Sequence, residues 1–161
     1  MGLSLPVVWT DLHRRHRPDA EVWLGVRTPA TELPERAERI REALVAAGAP
    51  VVESRPHSDG AVLAVHDRAL LDYLAGAWIE WREAGLTEQP GQGQVVPYAF
   101  PHTGMLGDQR PRSAAAIGAR AGQFAYDTMT LIGPGTWEAA RAGADAALTA
   151  AELVLNGEPV A

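Results

Sequence analysis

Gly122-Gln123-Phe124-Ala125-Tyr126-Asp127-Thr128-Met129-Thr130-Leu131-Ile132-Gly133-Pro134-Gly135-Thr136-Trp137 is the stretch from which the chain is best read outward. Gly133-Pro134-Gly135 restricts its second half to a turn. Thr136 then offers a side-chain acceptor to the free donors of a new helix, and Glu138 sits favourably against the positive end of its dipole. That helix is predicted over Trp137 to Asn156, with Ala140, Ala144, Ala147, Ala151 and Leu155 on one face and Gly157 and Pro159 after its end. Small residues at that spacing let another backbone approach closely. In the first half, Asp127 is a lone carboxylate between Tyr126 and Thr128. It has two readings of equal weight: a ligand contact presented by an ordered loop, or a turn cap that binds its own backbone.

Ahead of this stretch the chain alternates strand and helix. Leu5 to Trp9 is short, apolar and β-branched at its centre, as a buried parallel strand requires. From Thr10 to Leu33 the polar, Pro-containing text shows no period and reads as a long surface loop tethered by Trp23 and Leu24. Pro34 suits a first helical position, and Ala37, Ile40, Leu44 and Ala47 recur at helical spacing until Gly48. Val51-Val52-Glu53 is a second strand, so strand, helix and strand begin a right-handed parallel unit. Asp59 to Val65 gives a weak helical turn. Asp67 then caps a helix to about Ala84, with Leu71, Leu74, Trp78 and Trp81 as its stripe and Gly85 as its stop. Thr87 to Arg112 is rich in Gly, Pro and Gln and reads as loop, with Tyr98 and Phe100 as docking aromatics. Two strands for three or four helices make an incomplete parallel sheet, because a doubly covered sheet leaves no such open edges. The fold class is therefore α/β, and the chain reads as the front portion of something larger.

Composition narrows the function classes. A length of 161 residues supports one compact domain, and 47% apolar with 21% charged residues is ordinary for a globular protein. The formal charge of −6 excludes non-specific grip on a nucleic-acid backbone, which needs clustered cations. With no cysteine there is neither a disulfide framework nor a thiolate metal site. No apolar run approaches a bilayer's thickness and the first residues lack a signal-peptide pattern, so the expected setting is cytoplasmic, with no membrane partner.

Few residues carry chemistry on pattern alone. Asp11, His13 and His16 follow a strand's carboxyl end, where open α/β sheets place ligands, and form a weak metal candidate that Arg14 and Arg15 oppose electrostatically. His66 beside Asp67 suggests a base with its orienting acid, but reads better as a buried structural histidine, since Asp67 is needed as a cap. His57 and His102 stand alone. The sequence has no Gly-x-Gly-x-x-Gly after a strand, no phosphate-binding Gly-Lys-Ser/Thr loop and no nucleophile elbow.

Four segments nevertheless occur in a familiar order. Pro34-Glu35-Arg36-Ala37-Glu38-Arg39-Ile40, Val65-His66-Asp67 with Leu71 to Leu74, Phe124-Ala125-Tyr126-Asp127-Thr128, and Pro134-Gly135-Thr136-Trp137-Glu138-Ala139-Ala140 resemble the zinc-dependent histone deacetylase and acetylpolyamine amidohydrolase family. The resemblance covers nearly the whole chain. It is closer to the acetylpolyamine branch, through Trp78-Ile79-Glu80-Trp81 and the loop from Tyr98-Ala99-Phe100-Pro101 to Arg112. It implies the arginase/deacetylase fold, a three-layer α/β arrangement, with residues 1–161 as the N-terminal part of a single deacetylase domain that lacks the catalytic half. In that family the carboxylate matching Asp127 sits at the tunnel mouth and holds the acylated amine, which makes Asp127 and Tyr126 the candidate substrate-binding rim. Loops matching Thr10 to Leu33 and Gln94 to Arg112 complete the rim, and the second implies a homodimer through 94–112.

The same resemblance implies what to expect of the chemistry. The family's His-His dyad, its Asp-x-His zinc ligands, its further zinc Asp and its oxyanion-stabilising Tyr or His all lie beyond the point matching Ala161. No catalytic or metal residue is thus assigned in this chain, and zinc is expected in the complete family enzyme but not tightly on these residues. Ser113 to Arg120 lacks the acid that helps some members choose a cationic substrate. Acyl-lysine and acetylpolyamine are therefore equally open as substrate classes. The expected function is that of a deacetylase portion inactive by itself; the alternative is a non-catalytic dimerisation or interaction module.

Overall fold

The structure, a computed structural model, describes residues 5–88, 92–101, 104, 107–109 and 112–157. In chain order its described elements are β1 (Val7–Trp9), a 3₁₀ turn (Asp11–Arg15), β2 (Ala20–Trp23), β3 (Val26–Pro29), α1 (Pro34–Ala46), β4 (Val51–Glu53), α2 (Gly60–Leu63), α3 (Arg68–Glu83), a 3₁₀ turn (Leu86–Glu88), α4 (Ile117–Arg120), a third 3₁₀ turn (Ala121–Gln123) and α5 (Thr136–Leu155). The α/β class is confirmed, with a small parallel sheet. These elements divide between two compact units.

The first unit gathers the chain up to Arg17, Glu32–Val65 and the residues from Gly135 onward. Its sheet is β1 beside β4, parallel, in the register Val7↔Val51, Val8↔Val52 and Trp9↔Glu53. The Val7 N–H donates to Pro50 O at 2.8 Å, and the Ser54 N–H donates to Trp9 O at 2.8 Å. The crossover helix α1 starts at Pro34, where a missing N–H costs no helical bond. It stops at Gly48, whose φ of 96° lets its N–H reach Val45 O at 2.9 Å and the Ala49 N–H reach Leu44 O at 3.0 Å. Of its predicted stripe, Ala37 and Leu44 are half-buried, whereas Ile40 is 60% exposed and Ala47 is exposed.

Helix α5 departs from its predicted register. Gly135, not Thr136, is the N-cap, held left-handed at φ 79°. Glycine is required there twice over, because a Cβ would also come within 2.6 Å of Arg15 O. The face turned inward runs through Ala142 and Thr149, while Ala140, Ala147, Ala151 and Leu155 are exposed. A polar strap decides this. Thr149 Oγ1 accepts the Arg55 N–H at 3.0 Å, lies 3.1 Å from His57 Nε2 and donates to Asp145 O at 2.8 Å. Asp145 Oδ1 in turn accepts the His57 N–H at 2.9 Å and Arg141 Nη1 at 2.7 Å. Satisfying buried polar groups outweighs aligning alanines that gain little from burial.

The second unit comprises Pro18–Thr31 and His66–Pro134. The predicted Thr10 to Leu33 loop is overturned here, since β2 and β3 form an antiparallel hairpin with Trp23 opposite Val26. Its two-residue turn needs positive φ at both centres, supplied by Leu24 at 48° and Gly25 at 81°. Glu21 is buried within it, and its Oε1 accepts the Thr31 N–H at 2.7 Å and the Thr31 hydroxyl at 2.8 Å. The core joins Tyr73, Ala77 and Trp81 of α3 to Val95, Ile117, Ala121 and Ile132. The indole N–H of Trp81 donates to Gln92 O at 2.8 Å, so the polar edge of a buried ring is satisfied. Gly85, at φ 71°, follows the end of α3 as expected. Asp67 occupies the N-cap position but makes no capping bond with its side chain, and His66 is exposed, not buried.

Candidate functional site

The Asp127 loop is built from the second unit's own backbone. Phe124 enters it stacked on Tyr73, with ring centroids 4.6 Å apart. Gly122 lies so close to the chain that a Cβ would fall 1.6 Å from Ala99 O, which leaves no room for any side chain. At the far end Val95 and Ile132 exchange backbone bonds of 2.8 and 3.3 Å. Between these anchors Thr128 clamps the loop to β2: its hydroxyl donates to Val22 O at 2.6 Å, and the Val22 N–H donates to Thr128 O at 3.2 Å. The hairpin that the sequence hid thus carries the loop holding the candidate residues. A further tie is the buried side chain of Gln94, whose Oε1 accepts the Asp19 N–H at 3.3 Å.

Of the two sequence readings of Asp127, its hydrogen bonds bear out the turn cap. Its Oδ1 accepts the Met129 N–H at 2.9 Å and the Thr130 N–H at 3.2 Å, so it does cap its own turn. The residue is exposed all the same, and Tyr126 beside it is entirely so. A carboxylate locked by two amide donors on one oxygen presents the other in a fixed direction. Such an oxygen accepts an amide N–H or an ammonium without further ordering cost. The Thr128 clamp escaped sequence reasoning, because no local pattern announces a threonine bonded to a strand so distant in sequence.

The first unit offers a different concavity. A groove of about 530 Å³ lies at the carboxyl ends of β1 and β4, lined by Trp9, Thr10, Asp11, Leu12, Val51, Glu53 and Ser54. The Trp9 indole N–H donates to Asp11 Oδ1 at 3.0 Å and, with Arg14 nearby, holds that carboxyl below its ordinary range. The other two members of the metal candidate are engaged elsewhere. His13 Nδ1 lies 2.7 Å from Thr10 O, with its ring edge-on to Trp9, and His16 Nδ1 lies 3.0 Å from Thr136 Oγ1. Burial holds the His16 imidazole below its ordinary pKa, against an opposing pull from Glu32. Among the described residues no three or more His, Cys, Asp or Glu converge as metal ligands. Asp11, His13 and His16 are therefore not brought together as their spacing would require of a metal site. His57, alone in the sequence, is part of the strap on α5, with Nδ1 3.5 Å from Glu152 Oε1.

The 94–112 stretch, expected to dimerise, extends into residues outside those described. No helix among the described residues is long and apolar enough to cross a membrane.

Comparison with known proteins gives one consistent answer. The chain is 32% identical over 156 residues to an acetylpolyamine amidohydrolase of Mycoplana ramosa, a match covering 96% of this chain and 43% of that protein. It is 32% identical over 151 residues to acetylpolyamine amidohydrolase 1 of Pseudomonas aeruginosa, covering 93% and 42%. In fold it resembles the crystal structure of acetylpolyamine aminohydrolase from Burkholderia pseudomallei, with a TM-score of 0.81 and 28% identity over 96% of this chain and 42% of that one. No family model matches the chain. The chain spans less than half the length of the curated relatives it matches. Sequence and fold together show this chain to be similar to acetylpolyamine amidohydrolases, consistent with an N-terminal portion of such a protein.

Proposed function

We propose that this chain supplies the amine-holding rim of a zinc-dependent, cytoplasmic amidohydrolase that removes acyl groups from amines, and that it does not hydrolyse them alone. Zinc, where such an enzyme binds it, polarises the amide carbonyl and lowers the pKa of the attacking water. The contribution of these residues is to bind and orient. The observation that carries the reading is the Asp127 carboxylate, fixed through Oδ1 by Met129 and Thr130 and exposed beside Tyr126. Its charge suits the N–H of an acylated amine or a second, cationic nitrogen in the same molecule, and an adjacent aromatic face favours the cation.

The test is an NMR titration of the Met129 and Thr130 amides with an N-acetylated diamine. Asp127→Asn retains an oxygen to accept those two N–H groups but removes the charge, so it separates turn capping from ligand holding. Saturable shifts in the parent chain that vanish in the Asn variant support the reading. Equal shifts in both proteins, or none in the parent, refute it.

A further inference from the structure

We propose that Asn156-Gly157, where α5 stops, is a site of spontaneous deamidation, and that the last turn of the helix gates the reaction. The proposal is independent of the proposed activity.

The side-chain amide of an asparagine is attacked by the backbone nitrogen of the next residue, and glycine hinders that attack least because it has no Cβ. Here the helix stop itself calls for glycine: Gly157 holds φ 84°, a left-handed conformation. Asn156 and Gly157 are both exposed, so water reaches the pair. In the reaction the Gly157 nitrogen gives up its proton and bonds to Cγ of Asn156, the Cγ–Nδ2 bond breaks, and ammonia leaves. Water then opens the cyclic imide at either carbonyl, giving aspartate or isoaspartate.

The helix end opposes this chemistry. At Asn156 ψ is 3°, which eclipses its own nitrogen with that of Gly157 about the Cα–C bond. A nearly flat five-membered imide needs Cβ eclipsed with the Gly157 nitrogen instead, which is a large rotation about the same bond. The Gly157 N–H meanwhile donates to Val154 O at 3.0 Å, and the Asn156 N–H donates to Glu152 O at 3.0 Å. Rotation toward the imide removes the Gly157 bond, so the turn opens before the ring can close. The product then favours the opened turn. The last turn of α5 has no basic residue, so the new carboxylate stands uncompensated at the negative end of the dipole. Isoaspartate also lengthens the main chain by a methylene between the Asn156 and Gly157 nitrogens.

The protein and the peptide Leu155–Pro159 are aged side by side in mildly alkaline buffer, and peptide mapping with mass detection follows conversion of amide to acid and separates isoaspartate from aspartate. Hydrogen exchange at the Gly157 amide is measured on the fresh protein. Asn156 is expected to convert in both samples, and more slowly in the protein by the same factor that slows Gly157 exchange, within about threefold, because both processes need one opening. In the converted protein Gly157 exchange is expected to be about two- to fivefold faster. Asn156→Gln keeps an exposed amide but would need a larger ring, so it is expected to stay unconverted over the same period with the parent's fresh exchange pattern. No conversion in a protein whose Gly157 amide exchanges freely overturns the proposal, as does equal conversion in the Gln variant. Conversion at the peptide's rate behind a protected Gly157 amide overturns the gating.

Discussion

Thr149→Val would cut the strap between residues 55–57 and α5 at its centre while leaving the shape of the site intact. Thr149 is wholly buried, and its Oγ1 accepts the Arg55 N–H, lies beside His57 Nε2 and donates to Asp145 O. Valine fills the same volume, so the cavity cost is small. What changes is that the Arg55 N–H loses its acceptor and the imidazole loses its partner. An orphaned donor costs about 1–3 kcal/mol, and since these bonds are only partly buried a total of about 2 kcal/mol is expected. Asp145 O adds little, because it retains its place in the helical ladder. Thr149→Ser is the matching control: it keeps the hydroxyl, loses one methyl and costs about 1 kcal/mol. Urea denaturation followed by tryptophan fluorescence gives both values. Amide exchange at Arg55 should accelerate about tenfold or more in the valine variant and much less in the serine variant. If valine is as stable as the parent, or if serine is the costlier change, the hydroxyl is not what holds α5 in its register.

Other substitutions test other links in the argument. Leu24 holds φ 48° at the tip of the hairpin and is 88% exposed, so it carries backbone strain without a burial reward. Leu24→Asn is expected to raise stability by about 0.5–1 kcal/mol, read from the urea midpoint, because asparagine tolerates the left-handed region. His16 supplies a pH dependence. Burial holds its folded pKa below its ordinary value, so the folded state binds fewer protons than the unfolded one. Its contribution is complete above the unfolded value of about 6.5 and declines as pH falls from there through the folded pKa. The stability lost between about pH 7.5 and pH 5.5 should therefore shrink in His16→Asn; an unchanged loss would remove His16 as its source.

How much of this was legible depended on how local each signal was. The helix from Pro34 to Gly48 and the strands on either side are written in short-range chemistry: a proline at the first helical position, a glycine at a left-handed stop, β-branched residues between. They were read correctly to within a few residues. The hairpin of β2 and β3 was hidden because Leu24-Gly25 lacks the Asn-Gly or Asp-Gly signature of its turn, and because its buried Glu21 reads as a surface residue. The inward face of α5 was misread because alanines surround that helix and offer no contrast. Its register comes from Thr149, Asp145 and Arg141 meeting residues some ninety positions away. Asp127 stands out in the sequence, and the structure shows its turn-capping bonds together with its exposure. The cap fixes the carboxylate, and its exposure leaves that carboxylate available.

The most direct test of the whole account is zinc-dependent acetate release from an N-acetylated diamine by the purified 161-residue chain, with bound zinc measured by equilibrium dialysis on the same sample. The account predicts no release above buffer and no stoichiometric zinc. Sustained turnover, or one tightly held zinc per chain, would contradict it.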